Sequence, residues 1–496
     1  MHTYLAVDLG AGSGRVMAAH FNEENNTITL QEIHRFDNPG TDLPGGSFWN
    51  PIGLFHNIVE GIRLAIKEHG NAVRSVAVDT WGVDFGLLNA DGELLGIPHQ
   101  YRDPRTEGMA KVMAEKISPE DVYRHTGIQD AFYNTSLQLI SEVEKNSPAL
   151  ANAQRLLFTP DLLAYWLCGR AENEVTISST SQLLNPTTRT WSDEMMTALG
   201  IPREIFSDPV EPGTTLAPLR DEVARLTGAD KLDHPIQVVA SASHDTASAV
   251  ASVPAKGHDH AWISCGTWSI LGIESPQPHL DETTRQCGLS NELGVAGTTR
   301  LLRNISGLWL IQECQRQWKL DGEAMDYGEM ASLAEQAKPF TAFVNPDAPA
   351  FTAPDEMPDR IAQFCTDTEQ ATPSDKATVL RVATESLAMA YRVAIEQIRK
   401  ATGAKIEKIH IVGGGTRNEQ LMQATADATG LDVITGPIEA TACGNAMMQL
   451  IADGKIDSVE SGREMVRNSF PVTTYHPENH DQWTEQLPRF EAVLKK

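Results

Sequence analysis

The chain has 496 residues, 41% of them hydrophobic, enough to supply cores for two or three ordinary domains. Its formal net charge of -26 repels nucleic acid, anionic membranes and free nucleotides alike, so any phosphate site needs backbone amides, a metal ion or local arginines. No run approaches the roughly 20 apolar residues of a membrane helix, no basic-then-apolar leader opens the chain, and Cys168, Cys265, Cys287, Cys314, Cys365 and Cys443 are scattered singly rather than in zinc pairs. A cytoplasmic protein with reduced thiols and no disulfide is expected.

In chain order, Tyr4 to Asp8 reads as a buried strand, Gly10 to Gly14 as a tight turn and Val16 to Phe21 as a returning strand, with Asn25 and Asn26 turning into Thr27 to Leu30. That is a β meander. Asn50 and Pro51 form an N-cap and first-turn pair, and Phe55, Ile58, Ile62 and Ile66 recur at helical spacing until Gly70, before a strand at Ser75 to Val78. Ala377 to Ala401 is a long helical pattern closed by Gly403. The strand Lys408 to Val412, the turn Gly413 to Gly415, the helix Asn418 to Thr429 stopped by Gly430 and the strand Leu431 to Thr435 make a parallel strand, helix, strand unit. The expected fold is α/β with two domains, residues 1–250 and 251–496, and the cleft between them is the default active site.

The first chemical motif is Asp8-Leu-Gly-Ala-Gly-Ser-Gly-Arg15. Its small-residue turn can present backbone N–H groups to a phosphate, with Asp8 holding Mg²⁺ through water and Ser13 and Arg15 facing phosphate oxygens. Taken alone, a glycine turn between two strands is more often a plain hairpin. A dinucleotide fold needs a helix after the glycines, where a strand is predicted, and no Gly-x₄-Gly-Lys-Ser/Thr loop occurs. A second small-residue turn lies in Trp262-Ile-Ser-Cys-Gly-Thr-Trp-Ser269, and a third, Gly413 to Gly415, sits between a parallel strand and a helix N-terminus, where ligands of open α/β sheets bind.

In Ile236 to Ser248 an apolar strand ends in Ser-His-Asp-Thr and restarts as a small-residue helix. Asp245 there is either a helix cap or a base that takes a proton from a substrate hydroxyl as a phosphoryl group arrives. His244 reads as a hydrogen bonder lining the pocket. Trp81 and Trp309 are core aromatics or platforms for a ligand's apolar face. Arg102 and Asp103 form a surface ion pair or lie near the substrate.

Seven ordered segments, 8–15, 79–85, 101–105, 243–250, 266–269, 304–310 and the Gly413 region, make the chain resemble the FGGY carbohydrate kinases of the actin-like ATPase superfamily. The resemblance implies two actin-like (ribonuclease H-like) domains, the first with the sugar site and the second binding ATP. It implies ATP contacts at Ala11, Gly12, Ser13, Gly14, Arg15, Thr267, Gln312 and Gly414. Sugar contacts fall at Gly82, His244, Asp245, Thr246 and Asn304, with Asp245 the base, and the helix start at Glu439 to Asn445 resembles the adenosine side. The implied reaction phosphorylates L-rhamnulose to L-rhamnulose 1-phosphate with MgATP. Another ketose, such as L-fuculose, L-xylulose or a ribulose, is the alternative acceptor, and a non-catalytic sugar-binding regulator is the alternative of another class. A DNA-binding regulator would show a basic helix-turn-helix, which this acidic chain does not offer.

Overall fold

The computed structural model describes residues 2–496. The chain condenses into two units. The first comprises Met1–Pro254, Glu274–Leu301 and Ala440–Phe470, and the second Ala255–Ile273, Leu302–Glu439 and Pro471–Lys496. The first crossing lies close to residue 250, and two later segments return to the first unit, which a single cut in the sequence does not capture.

The first unit is built on strands β1 (His2–Leu9), β2 (Ser13–Asn22), β3 (Thr27–Asp37), β4 (Val73–Thr80), β5 (Thr214–Pro218) and β6 (Gln237–Ala240). They lie in the order β5-β6-β4-β1-β2-β3. β1, β2 and β3 are the antiparallel meander, whereas β1, β4 and β6 run parallel. Strand β1 is an almost unbroken apolar run because both faces of the sheet are covered. Leu5, Val7 and Leu9 pack with Ile58 and Ile62 of helix Pro51–His69, and Tyr4 packs with Ala446 and Met447 of helix Ala440–Ala452. The first of these helices is bounded as expected: Asn50 accepts from the Gly53 N–H and Gly70 ends it at positive φ, a cap worth about 1 kcal/mol. Between β4 and β5, an antiparallel pair of Phe85–Leu88 and Arg155–Phe158 carries its own apolar cluster.

A second, seven-stranded sheet holds β7 (His260–Cys265), β8 (Ser269–Ser275), β9 (Thr299–Ile305), β10 (Lys408–Val412), β11 (Asp432–Thr435) and β12 (Thr474–Tyr475) in the order β9-β8-β7-β10-β11-β12, with the short strand Ser290–Leu293 beside β9 at its edge. The pattern of the first unit recurs: β7 and β8 form an antiparallel hairpin, and β7 pairs in parallel with β10, which pairs in parallel with β11. Helix Lys376–Thr402 is capped by Asp375 and stopped by Gly403 in the left-handed region. Helix Glu419–Thr429 is capped by Asn418 and stopped by Gly430.

Helix Ala440–Ala452 approaches helix Asp245–Ala251 within the first unit through Gly444. A Cβ there would lie 1.8 Å from the Ser248 carbonyl oxygen. Because the obstacle is backbone, Gly444→Ala forces the helices apart and is expected to cost about 1–3 kcal/mol, read as a lower denaturation midpoint. An unchanged midpoint would show that the helices are not held at this spacing.

Candidate functional site

The polar ends of the first unit's parallel strands bring three carboxylates into one electrostatic cluster. Register sets Asp8 of β1 opposite Asp79 of β4, and Asp245 opens the helix that follows β6. Asp79 is fully buried. Burial above all, then the Asp8 and Asp245 charges, push its carboxyl well above the usual range, while Asn445 pulls the other way. The Asn445 amide donates to Asp79 Oδ2 at 2.6 Å and to the Ala77 carbonyl at 3.2 Å. No donor reaches Asp79 Oδ1 among the described residues. A polar ladder continues down the same helix, where Gln449 donates to Asn445 and to the Leu5 carbonyl and accepts from Ser75.

Asp8 is met by Arg15, whose Nη2 and Nε lie 2.7 and 3.0 Å from Oδ2. In this structure the Arg15 guanidinium thus reaches the carboxylate opposite it in the hairpin. Ala11, Gly12 and Ser13 are exposed, and no atom lies within 4 Å of where a Gly12 Cβ would stand. Asn38 holds the carbonyls of Gly10 and Gly12 through its side-chain and backbone N–H groups, leaving Gly12 open to an approaching group. Gly14 is buried because a Cβ would strike Phe36 and Leu9.

Asp245 keeps 32% of its side chain open. Burial of the remainder raises its carboxyl, His244 lowers it and Asp8 raises it again. The Thr246 N–H and hydroxyl both donate to Oδ1, so this side chain also caps its own helix. His244 is paired with Thr80 at the end of β4, just before Gly82 in the chain. The loop from Trp81 to Asp84 is unusual: Val83 adopts φ +69°, a conformation costly for a β-branched residue. The Thr180 hydroxyl accepts from its N–H at 3.0 Å and the Thr135 hydroxyl donates to its carbonyl at 2.6 Å, which holds the strain in place.

Asp84 is the hub of this loop, a buried carboxylate that the sequence left without a role. Its Oδ2 accepts from the Trp49 indole at 2.6 Å, the Trp81 indole at 2.9 Å and the Tyr101 N–H at 3.1 Å, and Oδ1 accepts from Gln138 at 3.1 Å. Trp81 is therefore a core aromatic, packed on Trp49 with ring centroids 4.2 Å apart. Asp103 is not in a surface ion pair: it is buried, accepting from the Ser47 and Arg105 N–H groups and meeting His99. Arg102 lies over the Tyr101 ring. Glu174, also buried, accepts from Thr176, Ile177 and Ser243 and is pushed up by burial to about 7.

In the second unit, Thr267 is exposed at the β7–β8 turn, and its carbonyl accepts from Trp309 at the start of helix Trp309–Leu320, which carries Gln312. The Trp309 indole donates to the Phe351 carbonyl at 2.8 Å. Gly413, at φ +92°, and Gly415 lie against Cys265, where Cβ atoms would stand 2.8 Å from its carbonyl oxygen and 2.2 Å from its Sγ respectively. Gly414 between them is exposed with open space where a Cβ would stand. Asn304 is exposed on β9. Thr267 thus stands in the β7–β8 turn, with Gly414 between two glycines packed on Cys265 of β7 and Gln312 in the first turn of the helix that Thr267 meets. All six cysteines are free and buried, and no helix is long and apolar enough to cross a membrane.

The Asp84 hub makes a measurable prediction. Burial raises its carboxyl to about 6, against the pull of the Trp49, Trp81 and Gln138 hydrogen bonds. Since this exceeds the ordinary 3.8, Asp84 contributes stability that is complete below about pH 4 and lost as pH rises through about 6. Indole fluorescence should titrate near pH 6 in the parent chain and lose that transition in Asp84→Asn. A transition that survives the substitution would assign it to another group.

Models of the FGGY family of carbohydrate kinases match the chain over residues 3–251 for the N-terminal domain and 261–452 for the C-terminal domain. Rhamnulokinase of Bacteroides thetaiotaomicron is 40% identical over 99% of both chains, and that of Bacillus subtilis 36% identical over 99% of both. Among solved structures, ligand-bound xylulose kinase from Lactobacillus acidophilus superposes with a TM-score of 0.84 at 15% identity, covering 100% of this chain and 98% of that one. Plasmodium falciparum glycerol kinase with ADP superposes with a TM-score of 0.80 at 17% identity, covering 100% and 98%. These structural likenesses establish the mixed α/β, two-domain fold. The chain belongs to the FGGY family of carbohydrate kinases and is a sugar kinase.

Proposed function

We propose that the chain transfers the γ-phosphoryl group of MgATP to the 1-hydroxyl of L-rhamnulose, giving L-rhamnulose 1-phosphate and ADP in L-rhamnose catabolism. The placement of Asp245 carries the reading: a partly open carboxylate at the end of a parallel strand, beside Asp8 and against His244. The acceptor is supported by the relatives named rhamnulokinase, which match almost the whole chain. Reduced, buried cysteines support a cytoplasmic setting.

Asp245 takes the proton from the sugar hydroxyl, whose oxygen forms the new bond to the γ-phosphorus as the bond to the β–γ bridging oxygen breaks and ADP leaves. Gly82, His244, Thr246 and Asn304 bind the sugar. Ala11 to Arg15, Thr267, Gln312 and Gly414 bind ATP through turns whose small residues admit a phosphate to the backbone. No three His, Cys, Asp or Glu side chains stand at direct metal-ligand spacing among the described residues. The mutual upward push among the carboxylates is nevertheless a local excess of negative charge that suits a hydrated divalent cation. Asp8 would hold Mg²⁺ through water, and the ion would offset charge on the β- and γ-phosphates.

Asp245→Asn is expected to retain ATP binding and lose turnover by about 10²- to 10⁴-fold, measured by coupled ADP release and by nucleotide binding. Near-normal turnover in that variant refutes the base assignment. In the parent chain, a panel of L-rhamnulose, L-fuculose, L-xylulose and ribuloses should give the highest kcat/KM with L-rhamnulose, and a higher value for another ketose reassigns the acceptor.

A further inference from the structure

Segment Glu174-Val-Thr-Ile-Ser-Ser-Thr-Ser181 makes none of the proposed ligand contacts, yet two of its hydroxyls reach the two loops assigned to the sugar. Its helix Val175–Ser178 runs on as the tighter turn Ser179–Ser181, so Thr176 and Thr180, four residues apart, project from one face. The Thr176 hydroxyl accepts from the His244 N–H at 3.2 Å and donates to Glu174 Oε2 at 2.7 Å. The Thr180 hydroxyl accepts from the Val83 N–H at 3.0 Å and donates to the Ile177 carbonyl at 2.7 Å. Each hydroxyl has its proton committed within the segment and offers a lone pair to the loop it meets.

Glu174 seats the segment against the strand end. Its Oε1 accepts from the Thr176 N–H at 2.9 Å, and Oε2 also accepts from the Ile177 N–H at 3.0 Å and the Ser243 N–H at 3.2 Å. A short helix needs a cap only for its own N–H groups, which Ser or Asp supplies. The longer Glu side chain reaches past the helix to Ser243. There the Ser243 carbonyl accepts from the Thr80 N–H at 2.9 Å, and the His244 carbonyl from the Ala247 and Ser248 N–H groups at 2.8 and 3.1 Å. Every backbone polar group of Ser243 and His244 is therefore taken, which fixes the direction in which the chain delivers Asp245. On the other side, a Cβ at Gly82 would stand 3.1 Å from Thr180 Cγ2, so the segment packs directly against the loop in which Val83 adopts φ +69°.

We propose that Thr176 and Thr180 are positioning residues for phosphoryl transfer: seated by Glu174, the first fixes the strand end that carries the base and the second fixes the Gly82 loop that meets the sugar, so one turn sets the spacing between them. The inference rests on Asp245 being the base and Gly82 a sugar contact. A displacement of about 1 Å at the reacting atoms costs up to about 10²-fold in rate. Loss of one anchoring lone pair thus reaches the chemistry without touching either substrate.

The test compares full-chain Thr176→Val, Thr176→Ser, Thr180→Val and Thr180→Ser by steady-state kinetics with MgATP and the ketose of highest kcat/KM. The comparison is made at about pH 8.5, where Glu174, lifted by burial to about 7, is ionised and both its oxygens accept. Valine keeps the branched shape and removes the acceptor, whereas serine keeps the acceptor. Thr176→Val should lower kcat about tenfold or more, Thr180→Val should raise the KM for the ketose about tenfold, and both should leave the KM for ATP within about twofold of the parent. The serine variants should recover most of either loss. Should a valine variant fail to fold, cysteine at the same position, close to serine in shape but a weak acceptor, is set against serine with the same expectation. A folded Thr176→Val with parental kcat, a folded Thr180→Val with parental KM for the ketose, or a serine variant as impaired as its valine counterpart overturns the proposal, since each shows a hydroxyl that does not act on the reaction. Any of these beside loss of turnover in Asp245→Asn sinks this inference alone, whereas near-normal turnover in Asp245→Asn sinks the base reading beneath it.

Discussion

Negative charge gathered at the ends of three parallel strands is the constraint around which the first unit is arranged. Asp8, Asp79 and Asp245 are placed by backbone register and by a strand-to-helix turn, so they cannot separate without breaking the sheet. Each has a different answer to the crowding. Arg15 pairs with Asp8 across the hairpin, and Asn445 donates to Asp79 from a helix more than 360 residues later in the chain. Asp245 is left partly open, with His244 beside it. Only that last answer leaves a carboxylate free to exchange a proton with a bound molecule. The other two hold their carboxylates still and set its electrostatic surroundings.

The same hairpin is built twice. In each unit an antiparallel pair turns on small residues, and the first strand of the pair continues a parallel sheet. Close packing beneath each turn dictates where glycine stands. Gly14 makes room for Phe36 and Leu9, Gly415 makes room for Cys265, and Gly307 lets the chain pass the Ser269 amide, where a Cβ would come within 2.5 Å. Gly12 and Gly414 instead face open space. Glycine at those two positions is required by no packing partner, which is what an approach route for a phosphate to the backbone would need.

Local signals were legible in the sequence and distant ones were not. Asn50, Gly403 and Gly430 cap or stop their helices at the expected residues because a cap is decided by a few neighbouring dihedrals and one hydrogen bond. The meander and the strand, helix, strand unit were legible for the same reason. The place of Asn445 was not: the segment Glu439 to Asn445 resembled an adenosine-side helix start, and its bond to Asp79 exists only because segment 440–470 returns to the first unit. Asp79 stood within a quoted motif, and pairing β1 with β4 in parallel register would have set it opposite Asp8. Asp84 was not legible as a hub because its four donors come from Trp49, Trp81, Tyr101 and Gln138, scattered along the chain.

The contrast between Asp84 and Asp245 explains how one loop and one strand end divide the work. Asp84 is fully enclosed and its oxygens are filled by four donors, so it acts as a fixed post that orients two indoles, the Tyr101 backbone and the Gln138 amide. Asp245 accepts only from Thr246 and is drawn toward His244, leaving room for a hydroxyl. The wider charge balance favours that kind of guest. A chain of net charge -26 with three clustered carboxylates opposes a bare triphosphate, though beyond about 8 Å salt screens the opposition. A neutral polyol meets no such barrier, and a nucleotide already complexed with its divalent cation brings the positive charge that the cluster lacks. Acidity that first argued against nucleotide binding therefore weighs against a bare triphosphate and not against its metal-complexed form.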